Sequence, residues 1–155
     1  MYTQVTGTFD GAAQCGICGG GGTLSLSDGR IIHFKVGLGA GTNTRAELLS
    51  LWGLLWLANR LNCAEIQVFG DSQAIIDWIN GKTKIRNTAL THWYQRTVLL
   101  KDTFAHITIQ HFYRDHNWIV DSLSKDGIIL EEGILWYKDR SNDIVEWEVH
   151  NIYYT

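Results

Sequence analysis

Arg45-Ala46-Glu47-Leu48-Leu49-Ser50-Leu51-Trp52-Gly53-Leu54-Leu55-Trp56-Leu57-Ala58-Asn59-Arg60-Leu61 is the stretch on which the architecture turns. After its first turn it is apolar nearly all round, which predicts a helix over 45–61 buried on most of its sides. It falls short of the ~18 apolar residues of a membrane-spanning helix and is interrupted by Asn59 and Arg60. Such a helix needs a sheet to lie on, and the residues before it supply one. Thr3 to Phe9 is short, β-branched or aromatic and ends at Asp10-Gly11, a turn-prone pair. Thr23 to Ser27 alternates Leu24 and Leu26 with hydroxyl residues, Asp28-Gly29 is a hairpin signal, and Arg30 to Val36 returns as a third strand. Gly19 to Gly22 reads as a turn or bulge ahead of the second strand, since glycines give a sheet face nothing to pack.

Downstream, Ile66 to Phe69 is a short strand closed by Gly70, and Gln73 to Ile79 a short helix stopped by Asn80-Gly81. Asn87 to Phe104 is a longer helix, Ile107 to Tyr113 a strand, and Asn117 to Lys125 a last short helix. Three antiparallel strands followed by two reached through helical crossovers make a mixed α/β domain with a five-stranded sheet flanked by helices. The main unit covers 1–126. Residues 127–155 form a C-terminal extension, read as an added β-hairpin from Ile134-Leu135-Trp136-Tyr137 and Ile144 to Val149, packed on the same domain. As a structural element, its removal is expected to cost stability more than it alters activity.

The whole chain has 155 residues, 45% hydrophobic and 19% charged, with seven Trp, enough apolar material for one core and too much for intrinsic disorder. Three cysteines, at 15, 18 and 63, do not make a disulfide framework and fit a reducing compartment. With no leader pattern at Met1-Tyr2-Thr3-Gln4, the expected location is intracellular, in cytoplasm or nucleus, without membrane contact. The net charge of −3 is unevenly placed: residues 1–125 carry eleven Lys and Arg against nine Asp and Glu, and 126–155 carry two against seven. Lys82, Lys84, Arg86, Arg96 and Lys101 form a modest basic run that either tracks phosphates or is a solvated helix face.

Four acids stand at element junctions or in apolar settings. Asp10 is either a turn residue beside Gly11 or a ligand. Glu47 either closes a capping box with Thr44 or faces a site. Asp71 either caps the next helix or stands at a strand end for chemistry. Asp121, between Trp118-Ile119-Val120 and Leu123, needs solvent, a base or a cation to meet its charge. Adjacent first and fourth strands bring Asp10 and Asp71 together, and the helix from Arg45 can lay Glu47 beside them. Carboxylates so gathered are tolerable chiefly when hard divalent cations neutralise them.

Thr8-Phe9-Asp10-Gly11-Ala12, Thr42-Asn43-Thr44-Arg45-Ala46-Glu47-Leu48, Gly70-Asp71-Ser72-Gln73, and His111 with Asn117-Trp118-Ile119-Val120-Asp121-Ser122-Leu123-Ser124 resemble, in order, the blocks of the ribonuclease H family. The resemblance covers about residues 1–126 and is strongest to the ribonuclease H domains of plant LINE-type (non-LTR) retrotransposons. It implies the ribonuclease H-like fold and an endoribonuclease that cuts the RNA strand of RNA/DNA hybrids, leaving 5′-phosphate and 3′-hydroxyl ends. It further implies two Mg²⁺ ions, with Mn²⁺ as a substitute, held by Asp10, Glu47, Asp71 and Asp121. Gly11, Ala12, Thr42, Asn43 and Gln73 match positions that meet the hybrid. His111 matches a histidine that assists catalysis, a role that Arg114 or His116 would equally fill; the plain alternative for His111 is a structural residue at a strand end. The chain is expected to act as a monomer, either free or as part of a longer reverse-transcriptase polyprotein. Two rival readings are an inactive ribonuclease H-like module that binds nucleic acid or protein, and a related nuclease acting on DNA. Cys15-Gly16-Ile17-Cys18 lacks the partners of a zinc site, and Trp52, Trp56, Trp78 and Trp93 read as core.

Overall fold

Small and β-branched residues alternating with apolar ones carry the first strand, β1 (Thr6–Gln14), well past the Asp10-Gly11 pair. The turn comes at Cys15 and Gly16, both with positive φ (52° and 77°), and β2 (Ile17–Ser25) returns antiparallel with Gln14 opposite Ile17. β3 (Ile31–Ala40) completes the meander after the turn at Asp28-Gly29. The computed structural model describes residues 4–84, 86–112, 118–140 and 145–155. Thr3, Tyr113, Asn117 and Ile144, which bound predicted elements, lie outside the described residues.

The buried helix is α1 (Asn43–Arg60), with twelve buried residues, and it packs on β1 and β2. β4 (Glu65–Gly70) and β5 (His106–His111) run parallel to β1, separated by α2 (Gln73–Ile79) and, after a 3-10 turn at Thr88–Leu90, α3 (Thr91–Lys101). α4 (Trp118–Gly127) packs on β2, β1 and β3 from the face opposite α1. The core lies between α1 and the sheet, with Phe34, Leu24, Ile32, Leu48, Leu51 and Leu55 fully buried.

The sheet has seven strands in the order β5-β4-β1-β2-β3-β6-β7, not five with a separate hairpin. β6 (Leu135–Asp139) pairs antiparallel with β3, and β7 (Glu146–Val149) with β6. Leu135 and Tyr137 are buried in line with Val36 and Phe34, so the extension prolongs the core face of the sheet and covers the edge that β3 would otherwise present. A 3-10 turn at Ile152–Tyr154, not foreseen in the sequence, buries Ile152.

Gly19 to Gly22 lies inside β2, not in a turn, although the register does shift between Cys18 and Gly19. The glycines pack by leaving room. A Cβ on Gly21 would come within 2.6 Å of the Leu123 backbone, and one on Gly19 within 2.3 Å of the Ile128 amide, so α4 rests directly on the strand backbone. Among the described residues no helix is long and apolar enough to cross a membrane.

Candidate active site

Parallel pairing sets the centre of the site. Phe9 on β1 aligns with Gly70 on β4, and Gly70 aligns with His111 on β5, so Asp10 and Asp71 are each one residue beyond a matched pair on neighbouring strands. α1 begins at this same end: the backbone of Ala46 and Glu47 sits so close to Gly11 that a Cβ there would lie 2.3 Å from the Ala46 carbonyl carbon. That contact brings Glu47 to the strand ends. Asp121 comes from the opposite face, in the first turn of α4.

The four carboxylates feel one another. Burial first, then Asp71, Asp121 and Glu47, push the Asp10 carboxyl up to about 7, with the Gly11 amide, which donates to its Oδ1 at 2.9 Å, working the other way. Glu47 is also raised, by burial and by Asp71, while the hydroxyl of Ser72 donates to its Oε2 at 2.7 Å and favours the ionised form. Asp121 is paired with Lys125 one turn later, Nζ to Oδ2 3.0 Å. Among the described residues no group of three or more His, Cys, Asp or Glu side chains is arranged to hold a metal ion. The donor set itself suits a hard divalent cation, because it is all carboxylate oxygen and its mutual repulsion is what a cation relieves.

Of the two readings of Glu47, the capping box with Thr44 does not form. The cap of α1 is Thr42, whose Oγ1 accepts from the Arg45 amide at 3.4 Å, so Thr44 is already inside the helix and no capping box forms. Ser72 and Lys125, which hold Glu47 and Asp121, were not singled out; the only signal was a hydroxyl beside Asp71 and a base four residues after Asp121. Asp71 does not cap α2, since Ser72 occupies that place without a side-chain capping bond.

The remaining candidates gather around the same end of the sheet. Asn43 Oδ1 accepts from the Ala13 amide at 3.1 Å, tying the start of α1 to the end of β1 beside Gly11 and Ala12. Gln73 opens α2 and donates to Asp77 Oδ1 at 2.7 Å. His111 ends β5, its Nε2 3.0 Å from the Asp71 carbonyl oxygen, a contact that places the ring next to the acids and also serves the strand end. Arg114 and His116 lie outside the described residues. Arg96 does not belong to a basic run facing phosphate: its guanidinium lies over Trp93 and Trp52, 4.6 and 4.9 Å from the ring centroids. Trp52, Trp56, Trp78 and Trp93 are core residues. Cys15 is exposed at the hairpin turn and Cys18 buried, both as free thiols, with Cys18 Sγ donating to the Thr42 carbonyl at 3.3 Å.

A family model described as reverse transcriptase-like matches residues 7–127. The structure is similar to ribonuclease H1 from the halophilic archaeon Halobacterium salinarum NRC-1, with 26% identity, a TM-score of 0.74, and coverage of 81% of this chain and 97% of that one. It is equally similar to the N-terminal RNase H domain of rv2228c from Mycobacterium tuberculosis, solved as a fusion with maltose-binding protein: 26% identity, TM-score 0.73, covering 81% and 93%. LC11-RNase H1, isolated from compost by a metagenomic approach and solved in complex with an RNA/DNA hybrid, shares the fold at 20% identity and a TM-score of 0.70, over 81% and 96%. No curated protein sequence matches the chain. The chain belongs to the reverse transcriptase-like family of ribonuclease H-like domains.

Proposed function

We propose that the protein is an endoribonuclease that hydrolyses the RNA strand of RNA/DNA hybrids, leaving 5′-phosphate and 3′-hydroxyl ends. The observation that carries this reading is the meeting of Asp10, Glu47, Asp71 and Asp121 at one end of the sheet, where burial first and then the charges of the other three push the Asp10 carboxyl up to about 7. Asp10, Glu47, Asp71 and Asp121 are the residues that would hold two Mg²⁺ ions, or Mn²⁺ in their place. Bound there, the ions supply a water of lowered pKa and neutralise the charge that develops on the oxygens of an in-line phosphoryl displacement.

The chain's own residues do the rest. Ser72 orients the Glu47 carboxylate through its hydroxyl. Lys125 occupies Asp121 in the free protein and limits the repulsion between that carboxylate and Asp10. Gly11, Ala12, Thr42 and Asn43 line one side of the sheet end and Gln73 another, where contacts to successive 2′-hydroxyls distinguish the RNA strand. His111, beside Asp71, is placed to move a proton at the edge of the site. The protein acts as a monomer, and the family's name fits a domain that works within a longer reverse-transcriptase polyprotein.

The test is cleavage of an end-labelled RNA/DNA hybrid in Mg²⁺, beside single-stranded RNA, double-stranded RNA and double-stranded DNA, with wild type and Asp71→Asn. Metal-dependent cutting of the hybrid's RNA strand, lost in the variant, is the expected result. A folded wild type that cuts nothing in Mg²⁺ or Mn²⁺ leaves a binding module, and cutting of duplex DNA makes the protein a DNA nuclease.

A further inference from the structure

The C-terminal extension and the active-site helix meet at Arg45. This side chain stands in the first turn of α1, between Asn43 and Glu47, and its Nη2 donates to the Leu38 carbonyl at 3.1 Å and to Glu132 Oε1 at 3.2 Å. Its guanidinium lies 5.9 Å from the Trp93 ring centroid. Glu132 comes from the loop between α4 and β6, beyond the residues that match the family model. The other end of the extension closes on the same place. Tyr153 packs edge-on against Trp93 and Trp52, centroids 4.7 and 5.8 Å apart, and its carbonyl accepts from Arg96 Nη2 at 2.5 Å. Trp56 Nε1 donates to Thr155 Oγ1 at 3.1 Å. The Tyr153 hydroxyl is buried beside Arg45 and Glu132: burial and then Glu132 push the phenol up, while the charge of Arg45 and its hydrogen bond to the phenol work the other way.

A cation in the first turn of a helix opposes the macrodipole, and the first turn of α1 carries no acid to balance it. The cap is slight as well, with Thr42 Oγ1 3.4 Å from the Arg45 amide. The turn that bears the site residues is therefore weak on local grounds. From the strand side it is held by Cys18 and Ala13, and from the other side by Glu132, whose carboxylate supplies the missing negative charge.

We infer that the extension is a positioning device for the active-site helix: Glu132 and the aromatic seat of Tyr153 fix Arg45, and through it the cap residue Thr42, the first turn that carries Asn43, and Glu47 immediately after that turn. This rests on the function proposed for that site. Glu132 is a positioning residue and touches no substrate.

The experiment compares wild type, Glu132→Gln, Glu132→Asp and Tyr153→Ala in two readouts: amide hydrogen exchange along α1, and steady-state cleavage of an RNA/DNA hybrid in Mg²⁺. In Glu132→Gln, exchange at Arg45 to Glu47 should quicken relative to Leu51 to Ala58, and KM for the hybrid should rise about three-fold with a smaller fall in kcat, the scale a partly exposed ion pair supplies. Glu132→Asp should restore most of both, and Tyr153→Ala should exceed Glu132→Gln in both. Exchange and KM at wild-type values in Glu132→Gln and Tyr153→Ala would overturn the inference, and so would exchange that quickens equally along the whole helix. A wild type that cuts no hybrid, while the variants still loosen the first turn selectively, removes the proposed function and leaves the positioning role standing.

Discussion

With its carboxyl pushed up to about 7, Asp10 retains near neutral pH a proton that the unfolded chain, at the ordinary 3.8, has released. The folded state thus binds more protons between about pH 4 and 7, and the stability of the metal-free protein falls as pH rises through that window. Asp10→Asn removes the Asp10 share of this dependence and leaves that of Glu47, which burial also raises. In EDTA at pH 8 the variant should melt about 3–6 °C above wild type, and below pH 4, where both side chains are neutral, the two should coincide. Scanning calorimetry at the two pH values decides it; equal melting at pH 8 would mean that burial and the neighbouring carboxylates do not raise Asp10 as described. Ser72→Ala is argued from the same electrostatics. Its hydroxyl favours ionised Glu47, so losing it raises the Glu47 pKa further, and the Mg²⁺ concentration for half-maximal hybrid cleavage should increase by a few fold. Unchanged Mg²⁺ dependence would make Ser72 a mere helix cap. The gathering of the four acids was legible only in part: Asp10, Glu47 and Asp71 stood at element junctions where a turn or a cap explained each singly, and Asp121 alone stood where a bare charge needed a reason. Ser72 was not legible, since it meets Glu47 across 25 residues of chain while Thr44 offered a nearer and wrong partner.

Elements were easier to read where the pattern was apolar than where it was empty. The α1 helix followed from its all-round hydrophobicity, and the parallel strands from the short β-rich runs Ile66 to Phe69, closed by Gly70, and Ile107 to Tyr113, of which the strand itself ends at His111. The glycine run of β2 misled because its residues contribute space and no side chain. That space is specific to each glycine, and two substitutions of the same kind should have opposite signs. Gly21→Ala puts a Cβ 2.6 Å from the Leu123 backbone, which cannot yield unless α4 moves, so it should cost about 1–3 kcal/mol and lower cleavage at temperatures well below melting by displacing Asp121. Gly53→Ala, in the middle of α1, meets Val36 Cγ1 at 3.6 Å and Phe34 Cε2 at 4.0 Å, both ordinary contacts. There the gain in helix propensity prevails, and the variant should be more stable by about 0.5–1 kcal/mol. Denaturant melts of both variants check the pair, and a destabilised Gly53→Ala would show that the α1 seat on the sheet is tighter than its distances indicate.

For the molecule as a whole, the extension was visible as a hairpin but not as a continuation of the sheet, because nothing in residues 127–155 names the strand with which β6 will pair. That choice is made by β3, whose buried Ile32, Phe34 and Val36 prolong one core face into Tyr137 and Leu135. The placement bears on charge. Seven acids in the last thirty residues would repel a hybrid if they lay near the site, yet Glu146 and Glu148 stand on β7, four strand spacings from β1, about 19 Å at the usual separation. The Debye length at 0.15 M salt is about 8 Å, so their field is spent before it reaches Asp10. Replacing both by Gln should change KM for the hybrid by less than about two-fold at 0.15 M salt, and more at 0.01 M, where the screening length is about 30 Å. Glu132 acts through its direct contact with Arg45 at the start of α1, 3.2 Å between Oε1 and Nη2, and should matter at either salt. If the double Gln variant instead bound hybrid several-fold tighter at 0.15 M, the substrate would have to run along the β7 edge, and the groove would extend across the sheet instead of ending at α1.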